Sequence, residues 1–312
     1  MSATSSRPSH RKLLAFLTLT VCSLAPSPLS QAGEELLAVR SSSRIDVTVG
    51  GKFFTSYRFS GDEKYPFFFP VNAPSGVSAT SMRNGEFPHH SSLYFGCDRV
   101  NGGNYWQDGL DRGRIVSAGP VLESASGREI VITDSCDWIR PGAPQPVRDK
   151  RRIVISAPTA QLRQIDFTVI LEALNDVVID KTNHSLFSAR MDPDLTPAFG
   201  GIMVNADGDK GEKGTFGKPS PWLACYGARD GKTTDGLAIL QHPGNHGFPS
   251  PWFTRDYGFL SPTPMFWPSD NKSTRIAKGD KLHLAYRVLV FSGTSESAGI
   301  AGNYAAFSKE DH

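Results

Sequence analysis

Asp166-Phe167-Thr168-Val169-Ile170-Leu171-Glu172-Ala173 decides the fold. Its two side-chain rows differ in polarity, with Phe167, Val169, Leu171 and Ala173 on one and Asp166, Thr168 and Glu172 on the other. A period of two is the signature of a strand with one buried face and one wet face. Such half-solvated strands belong to antiparallel sheets. The run before it, Lys150 to Ser156, reads the same way, and no helical pattern separates the two.

Working outward, short β-branched or alternating runs recur between turn residues. Ile45 to Val49, the Gly50-Gly51 turn and Lys52 to Phe59 read as a hairpin. Strands are expected at Phe67 to Val71, Ser92 to Phe95, Arg114 to Ala118 and Glu129 to Trp138. Others are expected at Asp176 to Lys181, Ser185 to Met191, Trp222 to Tyr226, Leu237 to Gln241 and Leu282 to Phe291. Roughly a dozen to fifteen strands without helical crossovers predict an all-β chain, a large antiparallel β-sandwich. The galactose-mutarotase-like supersandwich is one form of it. No repeat of 20–50 residues is visible, which argues against a propeller or solenoid. Asn205 to Pro221 reads as a long mobile loop, and Ser295 to His312 as ending in a short helix.

The first 32 residues read as a secretory leader. Arg7, His10, Arg11 and Lys12 precede an apolar run from Leu13 to Leu24, and Ser30-Gln31-Ala32 offers small residues for cleavage. Export to the periplasm or the outside is therefore expected, with residues 33–312 as one β-sandwich domain. Losing the leader removes three basic residues and no acidic one, so the formal charge of +2 turns slightly negative. Nothing in that balance suggests a nucleic-acid partner. No later run is apolar for the 18 or more residues of a membrane helix, so no membrane span is expected after cleavage. Cys97, Cys136 and Cys225 have no zinc-like spacing, and their odd number leaves at least one thiol free.

Phe87-Pro88-His89-His90-Ser91-Ser92-Leu93-Tyr94-Phe95-Gly96 is the strongest functional signal. Histidine can carry a proton, bind a metal or hydrogen-bond a sugar near neutral pH. In an extended chain His89 and His90 would point to opposite faces, so one of them is expected at a site. The next stretch, Asn101 to Trp106, joins amides to aromatics, the combination that stacks a sugar ring and bonds its hydroxyls. Arg190 stands in an otherwise apolar strand and needs an anion: Asp192, Asp256 or a substrate carboxylate. His184 is a weaker candidate. The proline-stapled loop from His242 to Tyr257 carries His242, Asn245, His246, Trp252, Arg255, Asp256 and Tyr257.

On this reading His89, His90, His242 and Asp256 are the candidate catalytic groups. Asn101, Trp106, Arg190, Asn245, Trp252, Arg255 and Tyr257 are the candidate substrate contacts. A divalent metal would draw its ligands from His89, His90, His242 and His246. No Walker loop, dinucleotide fingerprint, Gly-x-Ser-x-Gly elbow or His-Glu-x-x-His helix is present, so no nucleotide cofactor is expected.

Several segments together resemble one bacterial family, labelled "methane oxygenase PmoA-like". They include Tyr65 to Pro70, Pro88-His89-His90 to Gly96, Val100-Asn101-Gly102 with Trp106, and Gly113-Arg114-Ile115. Lys181-Thr182 with Phe187 and Arg190, Gly236 to Asn245, Pro251 to Gly258, and Lys278 to Arg287 complete the set. The chain departs from the pattern at Ser91, where arginine is usual, and at Cys97, where histidine often follows the glycine. The resemblance implies a β-sandwich protein that works beside sugar oxidoreductases in glycan-degrading bacteria. The leading expectation is an exported carbohydrate-active enzyme acting on a sugar or oxidised glycoside. It would work by hydrolysis, elimination or epimerisation, with histidine acid/base groups. The alternatives are a non-catalytic glycan-binding module and, as the label implies, a metal-dependent oxygenase.

Overall fold

The computed structural model describes residues 1–3, 5, 33–83, 85–265 and 272–311. The leader expected over residues 1–32 falls, from residue 6 on, outside them. Two large antiparallel sheets dominate. In spatial order the first contains Trp252–Arg255, Phe259–Pro262, Leu186–Arg190, Leu93–Gly96, Phe67–Val71, Lys52–Arg58, Arg44–Val49, Leu36–Arg40 and Ser126–Gly127. The second runs Ile202–Asn205, Trp222–Arg229, Thr233–Gln241, Lys281–Ser292, Leu162–Ala173, Val147–Thr159, Glu129–Ile139 and Arg114–Ser117. Val121–Ser124 also pairs with Glu129–Ile139. A small ribbon joins Val177–Ile179 to Thr274–Ile276.

The sheets pack face to face, as the alternation predicts. Phe95 and Phe187 of the first sheet meet Phe167, Trp138 and Tyr286 of the second, and Phe187 stacks on Tyr286 at 4.8 Å. Phe167, Val169, Leu171 and Ala173 are all buried, while Asp166, Thr168, Ile170 and Glu172 are not. Polar pins cross this apolar layer. The Tyr57 hydroxyl donates to Asp134 across the sandwich at 2.7 Å. Asp149 accepts from Trp138 Nε1 and pairs with Arg151 at 2.7 Å, with neither charged side chain exposed. Burial and the nearby Asp134 hold the Tyr57 hydroxyl well above its usual pKa.

The outward face of the second sheet is covered by helix Ile300–Phe307. Ile300 and Phe307 pack there in a separate apolar cluster with Ala238, Leu240, Leu289 and Phe291. No helix among the described residues is long and apolar enough to cross a membrane.

Two local expectations need correction, and the reading of the cysteines stands. Asn205 to Pro221 is a tethered segment, because helix Gly211–Thr215 docks on strand Trp252–Arg255 through Thr215 Oγ1 and Thr254 Oγ1 at 2.9 Å. The loop expected from His242 to Tyr257 ends in a hairpin, since Trp252–Arg255 pairs with Phe259–Pro262. Cys97, Cys136 and Cys225 are all buried and free.

Candidate functional site

The period of two that points Phe95, Phe187 and Leu260 inward points their neighbours outward. Tyr94, Ser188, Arg190, Phe253, Arg255 and Phe259 therefore share the outer face of the first sheet. Cross-strand register sets Ser188 opposite Tyr94, Arg190 opposite Phe259, and Arg255 opposite Phe259 on the other side.

Three loops roof this face. In the first, the His90 amide donates to Phe87 O at 3.1 Å, closing a turn with Pro88 at its second position. The Tyr65 hydroxyl holds the turn by donating to His89 O at 2.7 Å. In the second loop, Asn104 Oδ1 accepts from the amides of Trp106 and Gln107, both at 3.0 Å, and so aims the indole. In the third, the Thr182 hydroxyl donates to His184 O at 3.0 Å. Ser92 (φ 62°) and Leu186 (φ 68°) hold left-handed conformations where the first and third loops re-enter the sheet. Strain of that kind, in non-glycine residues, gathers at functional sites.

The loops bring three imidazoles together. His89 and His90 stand edge to face at 4.5 Å, and both face Trp106. His184 meets the other part of that indole at 4.1 Å. His90 stacks on Phe87 at 4.9 Å and lies 4.6 Å from Phe259. Phe87 continues the stack onto Tyr257 at 4.6 Å. The expectation that only one histidine of the pair enters a site is thus overturned. A turn replaces the extended chain that it assumed.

Arg190 lies beneath these rings. It is 4% exposed, with its guanidinium 4.4 Å from the Tyr257 ring and 5.4 Å from Phe87. Neither carboxylate expected for it is available. Asp192 accepts from Arg229 at 3.1 Å, and Asp256 accepts from the Glu212 amide at 2.7 Å. Burial lowers the Arg190 pKa, against the opposing pull of Tyr257 and Glu86.

Burial also decides the protonation of the imidazoles. His90 is pushed down to about 2 by burial first, then by His89, Arg190 and His184. His184 falls to about 4 mainly by burial. Burial lowers His89 too, partly offset by Asp108. The Tyr94 hydroxyl has Ser188 and Trp106 beside it as partners, whereas His90 Nδ1, His184 Nδ1 and Arg190 Nε and Nη1 are buried without a hydrogen-bond partner. Each such group costs about 1–3 kcal/mol. Their concentration in one place marks a seat for a polar ligand or ordered water. Beside them opens a groove of about 360 Å³, with His89, Ser91 and Trp106 on its wall and Lys64, Arg83 and Asp108 on its rim.

The structure thus assembles His89, His90, Trp106, Arg190 and Tyr257 from the sequence candidates. Arg255 borders them, its guanidinium 4.3 Å from Phe253 and paired with Glu212 at 3.0 Å. The others are elsewhere. His242 contacts Phe307 and lies 3.0 Å from Glu310 O, on the side of the sandwich covered by the C-terminal helix. Asn245 exchanges both its amide hydrogen bonds with the backbone of Ala285. His246 is exposed and touches none of the cluster's rings. Trp252 is fully buried, donating to Ser220 O at 2.8 Å. Asn101 splices its turn onto strand Val177–Ile179. Asp256 caps the short helix rather than facing the imidazoles.

The metal set His89, His90, His242 and His246 is dispersed by the same placement. Among the described residues no three His, Cys, Asp or Glu side chains converge as a ligand group. The residues present do not fit the metal centre that an oxygenase would need. Phe87, Tyr94, Phe253 and Phe259 were missed in the sequence reading and His184 underrated. Phe87 and Tyr94 lie inside the His89-His90 segment, and Phe253 inside the His242 to Tyr257 run. Tyr94, Phe253 and Phe259 became informative only once strand direction put them on the outer face.

Three solved structures resemble this chain remotely. A galactose mutarotase-related enzyme from Lactobacillus acidophilus is 12% identical over 83% of this chain and 97% of its own, with a TM-score of 0.29. An α-galactosidase from Lactobacillus brevis is 9% identical over 83% of this chain and 39% of its own, with a TM-score of 0.30. A human-microbiome protein assigned as a candidate kojibiose phosphorylase is 9% identical over 90% of this chain, with a TM-score of 0.35. The chain spans only 37% of that protein. Likeness at this level carries no argument about activity. No curated protein matches the chain. One family model does, over residues 44–305, a span that contains every residue of the cluster. The chain belongs to the family of unknown function DUF6807.

Proposed function

We propose that this protein is an exported carbohydrate-active enzyme that moves protons on a sugar or oxidised glycoside seated against the outer face of the first sheet. The observation that supports it is the set of buried, unpartnered polar atoms from His90, His184 and Arg190, walled by aromatic rings. Flat apolar walls with a few aimed polar groups suit a sugar ring.

The groups divide by environment. His89 is half-buried, lies on the groove wall and has Asp108 nearby, so it is the proton carrier. His90 and His184 are held neutral and are poor bases. A neutral imidazole can still donate a hydrogen bond to a carbonyl or hydroxyl. Arg190 would stabilise negative charge developing on the substrate. The ring cluster holds three imidazoles and a guanidinium, which suits proton abstraction beside a ketone: elimination or epimerisation of an oxidised glycoside. The glycan-binding alternative needs open stacking platforms. Trp106 and Trp252 are 3% and 0% exposed, which counts against it.

The test is turnover on a panel of plant and algal glycosides and their 3-keto forms. Wild-type protein should release product, and His89→Ala should lower kcat/KM by about 10²–10⁴-fold. Retained binding without any turnover would instead favour the glycan-binding module.

A further inference from the structure

Five arginines are buried among the described residues, and four of them have a carboxylate partner. Arg151 pairs with Asp149 at 2.7 Å, Arg163 with Glu34 at 2.6 Å, Arg229 with Asp235 at 3.2 Å and Arg287 with Asp166 at 2.6 Å. Arg190 is the exception. Its side chain makes no ion pair, and Nε and Nη1 are both enclosed without an acceptor. A buried unpaired cation is costly enough that folds normally avoid it. The other four show how this chain ordinarily meets that cost.

Among the described residues no neighbouring group is placed to supply the missing charge. Asp192 and Asp256 are occupied, as described above. Glu86 acts on Arg190 only at longer range and is exposed on the roofing turn. The imidazoles beside Arg190 add no negative charge. A guanidinium presents planar forks, Nε with Nη2 and Nη1 with Nη2, that match a carboxylate's two oxygens. Phe87 and Tyr257 flank the guanidinium and shield it from water, which strengthens an ion pair formed there. A phosphate dianion is the poorer match, because among the described residues Arg190 is the one guanidinium enclosed by these rings.

We infer that Arg190 is a carboxylate anchor, and that the ligand of this site is an acidic sugar of the uronic-acid class. The inference rests on reading the cluster as a sugar site. The carboxylate would lie on a fork that includes Nε or Nη1, with the sugar ring extending toward Trp106 and the groove.

Calorimetric titration separates the two claims. The probes are glucuronate and galacturonate, their neutral counterparts glucose and galactose, and cyclohexanecarboxylate as a ring acid that is not a sugar. Wild-type protein should bind the acidic sugars at least tenfold tighter than the neutral ones, and added salt should shrink that preference. Arg190→Gln should abolish the preference, so that acidic and neutral sugars bind alike. Arg190→Lys, which keeps the charge and loses the fork, serves where the glutamine variant folds poorly, and should keep only part of the preference. Equal affinity for acidic and neutral sugars would overturn the anchor and leave the sugar reading standing. Binding of cyclohexanecarboxylate through Arg190, with no sugar bound, would keep the anchor and overturn the sugar reading. An acid preference that survives in Arg190→Gln, or no acid bound at all, overturns the anchor.

Discussion

Arg190 and Arg151 are both buried guanidiniums, and the structure predicts opposite responses when each is replaced by methionine. Arg151→Met strands Asp149 without its partner and should cost about 3–5 kcal/mol. Arg190→Met strands no partner and removes an unpaired charge, so the thermal midpoint should rise. Calorimetric melting of the two variants checks this, and a fall for Arg190→Met would mean that an unseen partner exists. The imidazoles make a second prediction at this scale. Unfolded, His90 and His184 each take up a proton near pH 6.5; folded, they do so near 2 and near 4. The unfolded state binds more protons in between, so stability falls as pH drops below 6.5. Each histidine contributes up to about 1.4 kcal/mol per pH unit. Urea midpoints measured from pH 7 to 4.5 should fall more steeply for the wild type than for His90→Phe. Parallel slopes would contradict the depressed pKa of His90. The sequence marked Arg190 as a cation in need of an anion. It could not show that Asp192 and Asp256 were already taken, because both bonds are made to residues distant in sequence, Arg229 and Glu212.

Among the elements, the turn between strands Trp252–Arg255 and Phe259–Pro262 is tightly specified. Gly258 has φ 91°, and a Cβ there would lie 2.4 Å from Thr196 Cγ2 and 2.8 Å from Met191 Cβ. Gly258→Ala should therefore destabilise the fold by about 1–3 kcal/mol. It should also displace Tyr257 from the Phe87 stack and weaken ligand binding. Thermal melting and titration together check this, and an unchanged affinity would detach Tyr257 from the site. Most strands were legible because alternation survives in their sequence. This hairpin was hidden because Pro249, Pro251 and Gly258 give its flanks the look of a loop. The His89-His90 turn was misread for the converse reason. An extended chain through His89 and His90 overlooks Pro88, which occupies the second position of the turn that places both imidazoles together.

At the scale of the whole molecule, the sandwich has two outer faces with different uses. One lies beneath the C-terminal helix and holds His242. The other carries the cluster of His89, His90, His184 and Arg190. Alternation in the sequence tells inward from outward within each strand, but not which of two outer faces a distant segment joins. Pairing the His89 and His242 segments was therefore beyond its reach. The most direct measurement is the kcat/KM of His89→Ala and His242→Ala beside wild type, on whichever glycoside of the panel is turned over. The cluster account predicts a loss of about 10²–10⁴-fold for His89→Ala, and activity within about threefold of wild type for His242→Ala. Loss of activity in His242→Ala with His89→Ala unimpaired would contradict it.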